Sequence, residues 1–279
     1  MRPGWMRKLT AVALATGCAA GLAACGSSGA TPASSGKSSQ SVTFATDFGL
    51  YGRQSLFFTA LKRGYYKAAG LDVSIQAGNG SASTVEEVAA DKAQIGFADI
   101  GTFITALGKT SIPVTLVSAI YQRTAITLFG IRTASLSTPS DIPGKTAACA
   151  AGDATQTLWP AYAKAIHVNP GSLSFIHTAP SSFPTLLSSG RVQLVCEFSV
   201  GEPLLKLAVH GRPLVAFEYG AKLSLYGNGI IVNTHFLDAH KSAVTAFVKA
   251  SLEGATYAFG HPTQAGQYTK AINPVYQPK

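Results

Sequence analysis

The chain is poor in charge. Asp, Glu, Lys and Arg make up 13% of its 279 residues, and only 13 residues are acidic against 22 basic. The basic residues form no run and the aromatics do not alternate with them, which argues against a nucleic-acid partner. Methionine and tryptophan occur twice each and cysteine four times. No HExxH pair, GxSxG elbow or GxxxxGK[ST] loop is present, so the common signatures of metalloproteases, serine hydrolases and nucleotide-driven enzymes are missing. His167, His177, His210, His235, His240 and His261 are scattered, with no close ligand pair, and neither a metal nor a cofactor is expected. No apolar run reaches the roughly 20 residues that a membrane-spanning helix requires.

The nearest approach to such a run is Leu9 to Leu22, preceded by Arg2, Arg7 and Lys8. A positive segment followed by a short apolar one is the pattern of a secretory signal, here residues 1–24. It ends in Leu22-Ala23-Ala24-Cys25, a lipobox-like sequence whose small residues admit a peptidase and whose Cys25 thiol accepts a lipid. Residues 25–41 contain no large apolar side chain and are expected to be a flexible tether. The expected location is therefore extracytoplasmic, with the chain anchored to the membrane as a lipoprotein. The signal contributes three positive charges and no acid, so the formal charge of +9 becomes 9 − 3 = +6 once it is removed. That excess suits a position near anionic headgroups and the gathering of an anionic solute.

About 240 residues follow, enough for one large or two medium α/β domains. Strand patterns fall at Val42–Ala45, Leu71–Ile75, Ile95–Ala98, Pro113–Tyr121, Ala125–Arg132, Lys145–Cys149, Ser172–His177, Val192–Phe198, Pro213–Tyr219 and Gly229–Asn233. Helical patterns alternate with them at Gln54–Ala69, from a Ser83/Glu86 capping box to Lys92, and at Thr102–Gly108, Ala154–His167, Ser182–Ser189 and His235–Phe259. Such alternation implies mainly parallel sheets flanked by helices, with ligands collecting at the carboxyl ends of the strands.

Several phrases carry a family resemblance. Gly64-Tyr65-Tyr66-Lys67-Ala68-Ala69-Gly70-Leu71-Asp72-Val73 is the longest. Gly78-Asn79-Gly80, Gly96-Phe97-Ala98-Asp99, Thr138-Pro139-Ser140-Asp141-Ile142-Pro143-Gly144-Lys145, Gly152-Asp153-Ala154-Thr155 and Tyr226-Gly227-Asn228-Gly229-Ile230-Ile231-Val232-Asn233 follow in order. Together they resemble the solute-binding proteins of ABC importers in the NMT1/THI5-like group, which takes in nitrate, sulfonate, taurine and thiamine-pyrimidine binders. The resemblance implies a two-lobed type II periplasmic-binding-protein fold with the ligand cleft at the hinge. Lobe one would be residues 42–127 and 226–279, and lobe two residues 128–225. It also implies a monomer and a binder instead of an enzyme, whose partners are a small solute and a membrane permease; a lipid-anchored ligand sensor that touches a signalling partner instead of a permease is the alternative. The fungal pyrimidine synthase of this fold uses a cysteine-rich motif and an active-site histidine, and no clustered cysteine motif is present here.

The loops after the strands supply the ligand-binding candidates. Phe48, Tyr51 and Gln54 would offer an aromatic plane beside polar groups, with Arg53 in the same loop. Pyrimidine-binding relatives often carry Trp near Phe48 and His near Arg53. Asn79 and Ser81 flank a glycine turn that admits close backbone approach. Asp99 and Asp153 would accept from ligand N–H groups or cap the helices after them. Thr155 sits at a helix start that suits a polar ligand group. Glu197 would clamp a ligand donor or pair across the hinge with a base such as Arg123. Tyr121, Tyr226 and Asn228 adjoin the crossing strands, where the tyrosines would line the site or pack the hinge.

Cys149 and Cys196 are expected either to form a disulfide within lobe two or to remain two small buried thiols. Relatives usually continue well past the phrase Ala271-Ile272-Asn273-Pro274, so an exposed apolar patch near the returning strand and the 235–259 helical region is a further expectation.

Overall fold

The computed structural model describes residues 39–274. The expected signal sequence, most of the expected tether and Cys25 lie outside the described residues. The first half of the series is β1 (Gln40–Ala45), α1 (Ser55–Lys62), α2 (Tyr65–Ala68), β2 (Leu71–Gln76), α3 (Ser81–Ala89), β3 (Ile95–Asp99), α4 (Ile100–Leu107), β4 (Val114–Ala119) and β5 (Ile126–Ile131). It continues with β6 (Thr146–Cys149), α5 (Ala154–Ala165), β7 (Ser174–His177), α6 (Phe183–Ser188), β8 (Leu194–Phe198), α7 (Glu202–Ala208), β9 (Leu214–Glu218) and β10 (Asn228–Asn233). Helices α8 (Thr234–Ala239), α9 (Lys241–Gly260) and α10 (Pro262–Ile272) complete it. Among the described residues no helix is long and apolar enough to cross a membrane.

Two five-stranded sheets result, ordered β2-β1-β3-β10-β4 and β7-β6-β8-β5-β9. The two orders are the same pattern, with β6, β7, β8 and β9 standing where β1, β2, β3 and β4 stand. Strands β10 and β5 alone run against the others in their sheets. Each is the strand by which the chain enters from the other lobe. Asn228, the first residue of β10, lies opposite Asp99 at the end of β3, and Ile126 opens β5 opposite Phe198 at the end of β8. A chain that crosses at the carboxyl ends of the parallel strands must run backwards through the sheet it joins. Both crossings therefore deliver their flanking residues to the ligand-binding edge of an α/β sheet.

The alternation of strand and helix is present as expected, and its boundaries differ in instructive places. β1 begins at Gln40, two residues inside the expected tether, because Gln40 and Ser41 pair with Leu71 and Asp72 through backbone alone. Helix α3 begins at Ser81 and not at a Ser83 cap. Gly80, at φ +127°, ends the extended segment, and its carbonyl accepts from the Thr84 amide at 3.0 Å. Helices α7 and α10 carry little apolar patterning: α7 buries Leu205 and leaves Leu204 and Leu207 exposed, and α10 buries Ala265 and Thr269.

In the first sheet the core divides. Phe44, Phe57, Phe97, Tyr66 and Phe247 pack on the face covered by α1, α2 and α9, while Ala45, Val85, Val88, Phe103 and Ile231 form a second cluster under α3 and α4. The second sheet has one continuous core that includes Trp159, Tyr162, Phe183, Leu194 and Tyr219. The expected apolar patch does not involve the returning strand, since every residue of β10 is buried; Leu252 and Phe259 of α9 are exposed.

Candidate functional site

The carboxyl ends of the two sheets face each other, and their backbones touch. The Ala82 amide donates to the Gly152 carbonyl at 3.0 Å. A Cβ on Gly80 would come within 2.5 Å of the Gly152 carbonyl group, so the absence of a side chain permits this approach.

Asp47, two residues past β1, is the hub of the polar network in this seam. It is fully buried. Its Oδ1 accepts from Gln54 Nε2 at 3.1 Å and its Oδ2 from Asn228 Nδ2 at 2.6 Å. The Oδ2 atom also pairs with the Arg53 guanidinium. Arg53 reaches from the loop after β1 onto the second lobe, where its Cζ lies 3.7 Å from the centroid of the Phe198 ring. The Tyr121 hydroxyl donates to the Arg53 carbonyl and holds the loop from below. Asp47 was not legible as a ligand candidate, because its partners come from a distant strand and a turn. Its position two residues past a strand was the available signal.

Three more carboxylates surround this pair. Asp99 ends β3, and its Oδ1 accepts from the Thr102 amide at 2.7 Å and the Thr102 hydroxyl at 3.0 Å. Its other oxygen is buried without a hydrogen-bond partner, as is Arg53 Nε. Burial pushes the Asp99 carboxyl up to about 7, partly offset by the Thr102 bonds, with the Asp47 charge adding to the rise. Asp153, after β6, caps α5 by accepting from the Thr155 amide at 2.7 Å, and burial raises it too. Half-buried Glu197 accepts from the Phe198 amide at 2.8 Å and is pushed up to about 7 by desolvation. The cation that Glu197 senses is Arg53; Arg123 is exposed and makes no ion pair among the described residues, so the anticipated Glu197–Arg123 pair is not formed. Burial and then the Glu197 charge raise the Tyr51 phenol, whose ring centroid lies 6.1 Å from that of Phe48.

Gln54, Asp99, Tyr121, Asp153, Glu197 and Asn228 are thus brought to one seam, with Tyr51 at its side. Ser81 is buried, and its hydroxyl accepts from the Asp99 amide at 3.0 Å, positioning the end of β3. Thr155 is buried, and its carbonyl accepts from the Tyr219 hydroxyl at 3.0 Å. Phe48 crosses to join the core of the second lobe, with ring centroids 5.7 Å from Phe198 and 6.3 Å from Phe183. It therefore joins the lobes by packing. Asn79 and Tyr226 do not enter the seam. Asn79 pairs with Phe48 by backbone and leaves its side chain exposed, and Tyr226 is 55% exposed.

Cys149 and Cys196 lie on neighbouring parallel strands with Cα atoms 4.9 Å apart and sulfur atoms in bonding contact. That separation falls inside the range a bridge requires. Their sulfurs and an Asp153 oxygen lie within 4.8 Å of one another, which ties the pair to the edge of the seam.

Solved structures share this fold at low sequence identity. The alkanesulfonate-binding protein SsuA from Xanthomonas axonopodis pv. citri, bound to MOPS, matches with a TM-score of 0.68 and 13% identity, over 85% of this chain and 80% of that one. The periplasmic aliphatic sulphonate binding protein SsuA from Escherichia coli matches with a TM-score of 0.64 and 10% identity, over 83% of this chain and 78% of that one. The periplasmic nitrate-binding protein NrtA from Synechocystis PCC 6803 gives 0.61 and 12%, over 83% and 66%. Curated proteins give no sequence match. The two like-ordered sheets, joined by two crossings, are the type II periplasmic-binding-protein architecture. The family model described as NMT1/THI5 like matches residues 54–265, most of the chain and every strand but β1, and the protein belongs to that family.

Proposed function

We propose that this protein is the extracytoplasmic receptor of an ABC importer, and that it binds a small solute in the seam between its sheets. The observation that carries this reading is the convergence of polar groups from both lobes: buried Asp47, Gln54 and Asn228 from one, buried Asp153 and half-buried Glu197 from the other. A solute held by both sets bridges the lobes, and lobe closure is the signal a permease reads. The solute is a flat heteroaromatic with hydrogen-bond donors, of the thiamine-pyrimidine kind. Carboxylates at strand ends accept such donors, and Phe198 and Tyr51 offer faces for the ring.

A second reading is a sulfonate- or nitrate-type anion, favoured by the buried Arg53 and by the names of the structural relatives. Asp47 already engages Arg53, and the surrounding carboxylates oppose a second anion. A thermal-shift screen over aminopyrimidines, flavins, thiamine and sulfonates separates the two. The first reading expects stabilisation by nitrogen heterocycles, and stabilisation by sulfonates alone would replace it with the second.

The proposal includes lipid attachment at Cys25 and a bridge between Cys149 and Cys196. Wild-type protein from its host should partition into detergent and label with palmitate, and Cys25→Ser should do neither. Wild-type protein that stays in the aqueous phase without label would remove the anchor from this account.

A further inference from the structure

We infer that the seam is built for a flat cation, and that Arg53 occupies that place as an internal occupant which the solute displaces. This inference rests on the receptor reading above and narrows its solute class.

Five ionisable side chains interact across the seam: Asp47, Asp99, Asp153 and Glu197 are acids, and Arg53 is the one base among them. A chain with 13 acids in 279 residues has placed four of them here. Taking a charge out of water is costly unless an opposite charge compensates it or the group takes up a proton, and among the described residues Arg53 pairs only with Asp47, which leaves the other three acids without a cationic partner.

Independent of the acids is the placement of Arg53. Its side chain is 5% exposed although it belongs to a surface-type residue in a three-residue turn at Gly52–Gln54. The guanidinium lies on the Phe198 face of the opposite lobe while pairing with Asp47 of its own. A planar cation against an aromatic face, with a carboxylate at its edge, is the arrangement a protein uses to hold an amidinium or a protonated aminoheterocycle. The fit is incomplete. Arg53 Nε and Asp99 Oδ2 are both buried without partners. A ligand with its own N–H groups and no tether to lobe one can satisfy a carboxylate such as Asp99 that Arg53 leaves unpaired.

The test compares cationic with anionic probes on wild type and on Arg53→Gln, by calorimetry at pH 8. Benzamidine serves as the flat cation, 4-aminopyrimidine, uncharged at this pH, as the neutral flat nitrogen probe, and benzenesulfonate and nitrate as anions. Benzamidine should bind wild type, and Arg53→Gln should bind it about tenfold tighter or more, because no side chain has to be displaced first. Benzenesulfonate and nitrate should bind neither protein. Should Arg53→Gln not fold, Arg53→Lys keeps the charge without the planar fork and should still gain affinity for benzamidine over wild type. The inference is overturned if anions bind wild type and lose affinity in the variant, which would make Arg53 an anion ligand. It is also overturned if benzamidine binds neither protein, or binds both equally. The receptor reading fails on a different result, namely that no compound of either charge binds wild type.

Discussion

The two lobes share one strand order and divide the labour of the seam unequally. Lobe one places Asp47 after β1 and Asp99 at the end of β3; lobe two places Asp153 after β6 and Glu197 near the end of β8, the equivalent strands. Acids thus stand at corresponding positions in both halves. Lobe one adds the cation, Arg53, and a dense set of side-chain bonds around Asp47. Lobe two adds the aromatic surface of Phe198 and Phe183 and holds its acids mainly through backbone amides. Their cores differ likewise: lobe one packs two clusters on opposite sides of its sheet, and lobe two packs one, with the cysteine pair across neighbouring strands. Equivalent topology therefore fixes where polar groups arrive, while the loops decide which lobe reaches across.

The largest expected effect breaks the lobe-one network. Asp47→Ala leaves the Arg53 guanidinium buried without its carboxylate and should cost about 3–5 kcal/mol in chemical denaturation. Asp47→Ala with Arg53→Met should recover much of that loss, and no recovery would show that the pair is not the source of the cost.

The corresponding break in lobe two is Cys149→Ser. A bridge closing the segment to Cys196 should contribute about 2–5 kcal/mol, with the loss read as a lower denaturation midpoint. Thiol titration of unfolded, unreduced wild type should find neither cysteine free. Two free thiols would return the pair to a pair of buried residues.

A smaller effect sharpens the comparison through pH. The Asp99 and Glu197 carboxyls are raised to about 7 in the folded chain, against about 4 in the unfolded one. Between those values the folded state holds protons that the unfolded state has released, so stability falls as pH rises from about 4 to about 7 and then levels off. Asp99→Asn and Glu197→Gln should each flatten part of that slope, with Asp99→Asn the more stable protein at pH 8. A slope unchanged in both variants would assign it to other groups.

Gly80→Ala acts on stability and closure together. Ala is strained at φ +127°, which should cost about 1–3 kcal/mol, and its methyl meets the Gly152 carbonyl group, so it should hold the lobes apart and weaken solute binding by more than it lowers stability. Equal loss of both would make Gly80 a folding residue of lobe one.

Much of this architecture was legible in the chain. β2 alternates buried and exposed residues from Leu71 onward, and β3 is apolar enough to read as a buried strand. The cleft-edge positions of Asp99, Asp153 and Glu197 followed from their places at strand ends. The rest depended on long-range contacts. Asp47 and Asn228 are 181 residues apart, and local sequence carries no sign that they bond. Phe48 has the composition of a ligand-stacking residue, yet the rings that surround it belong to the other lobe. Asn79 and Tyr226 lie in the expected loops, but loop position does not fix which way a side chain points. Helices α7 and α10 escaped notice because few of their side chains are buried.

The central claim is that one solute is gripped by both lobes at once. X-ray scattering of the wild-type protein with saturating 4-aminopyrimidine or benzamidine tests it most directly. The account predicts a smaller radius of gyration on adding the nitrogen solute and no change with benzenesulfonate. An unchanged profile under a solute that calorimetry shows to be bound would contradict it.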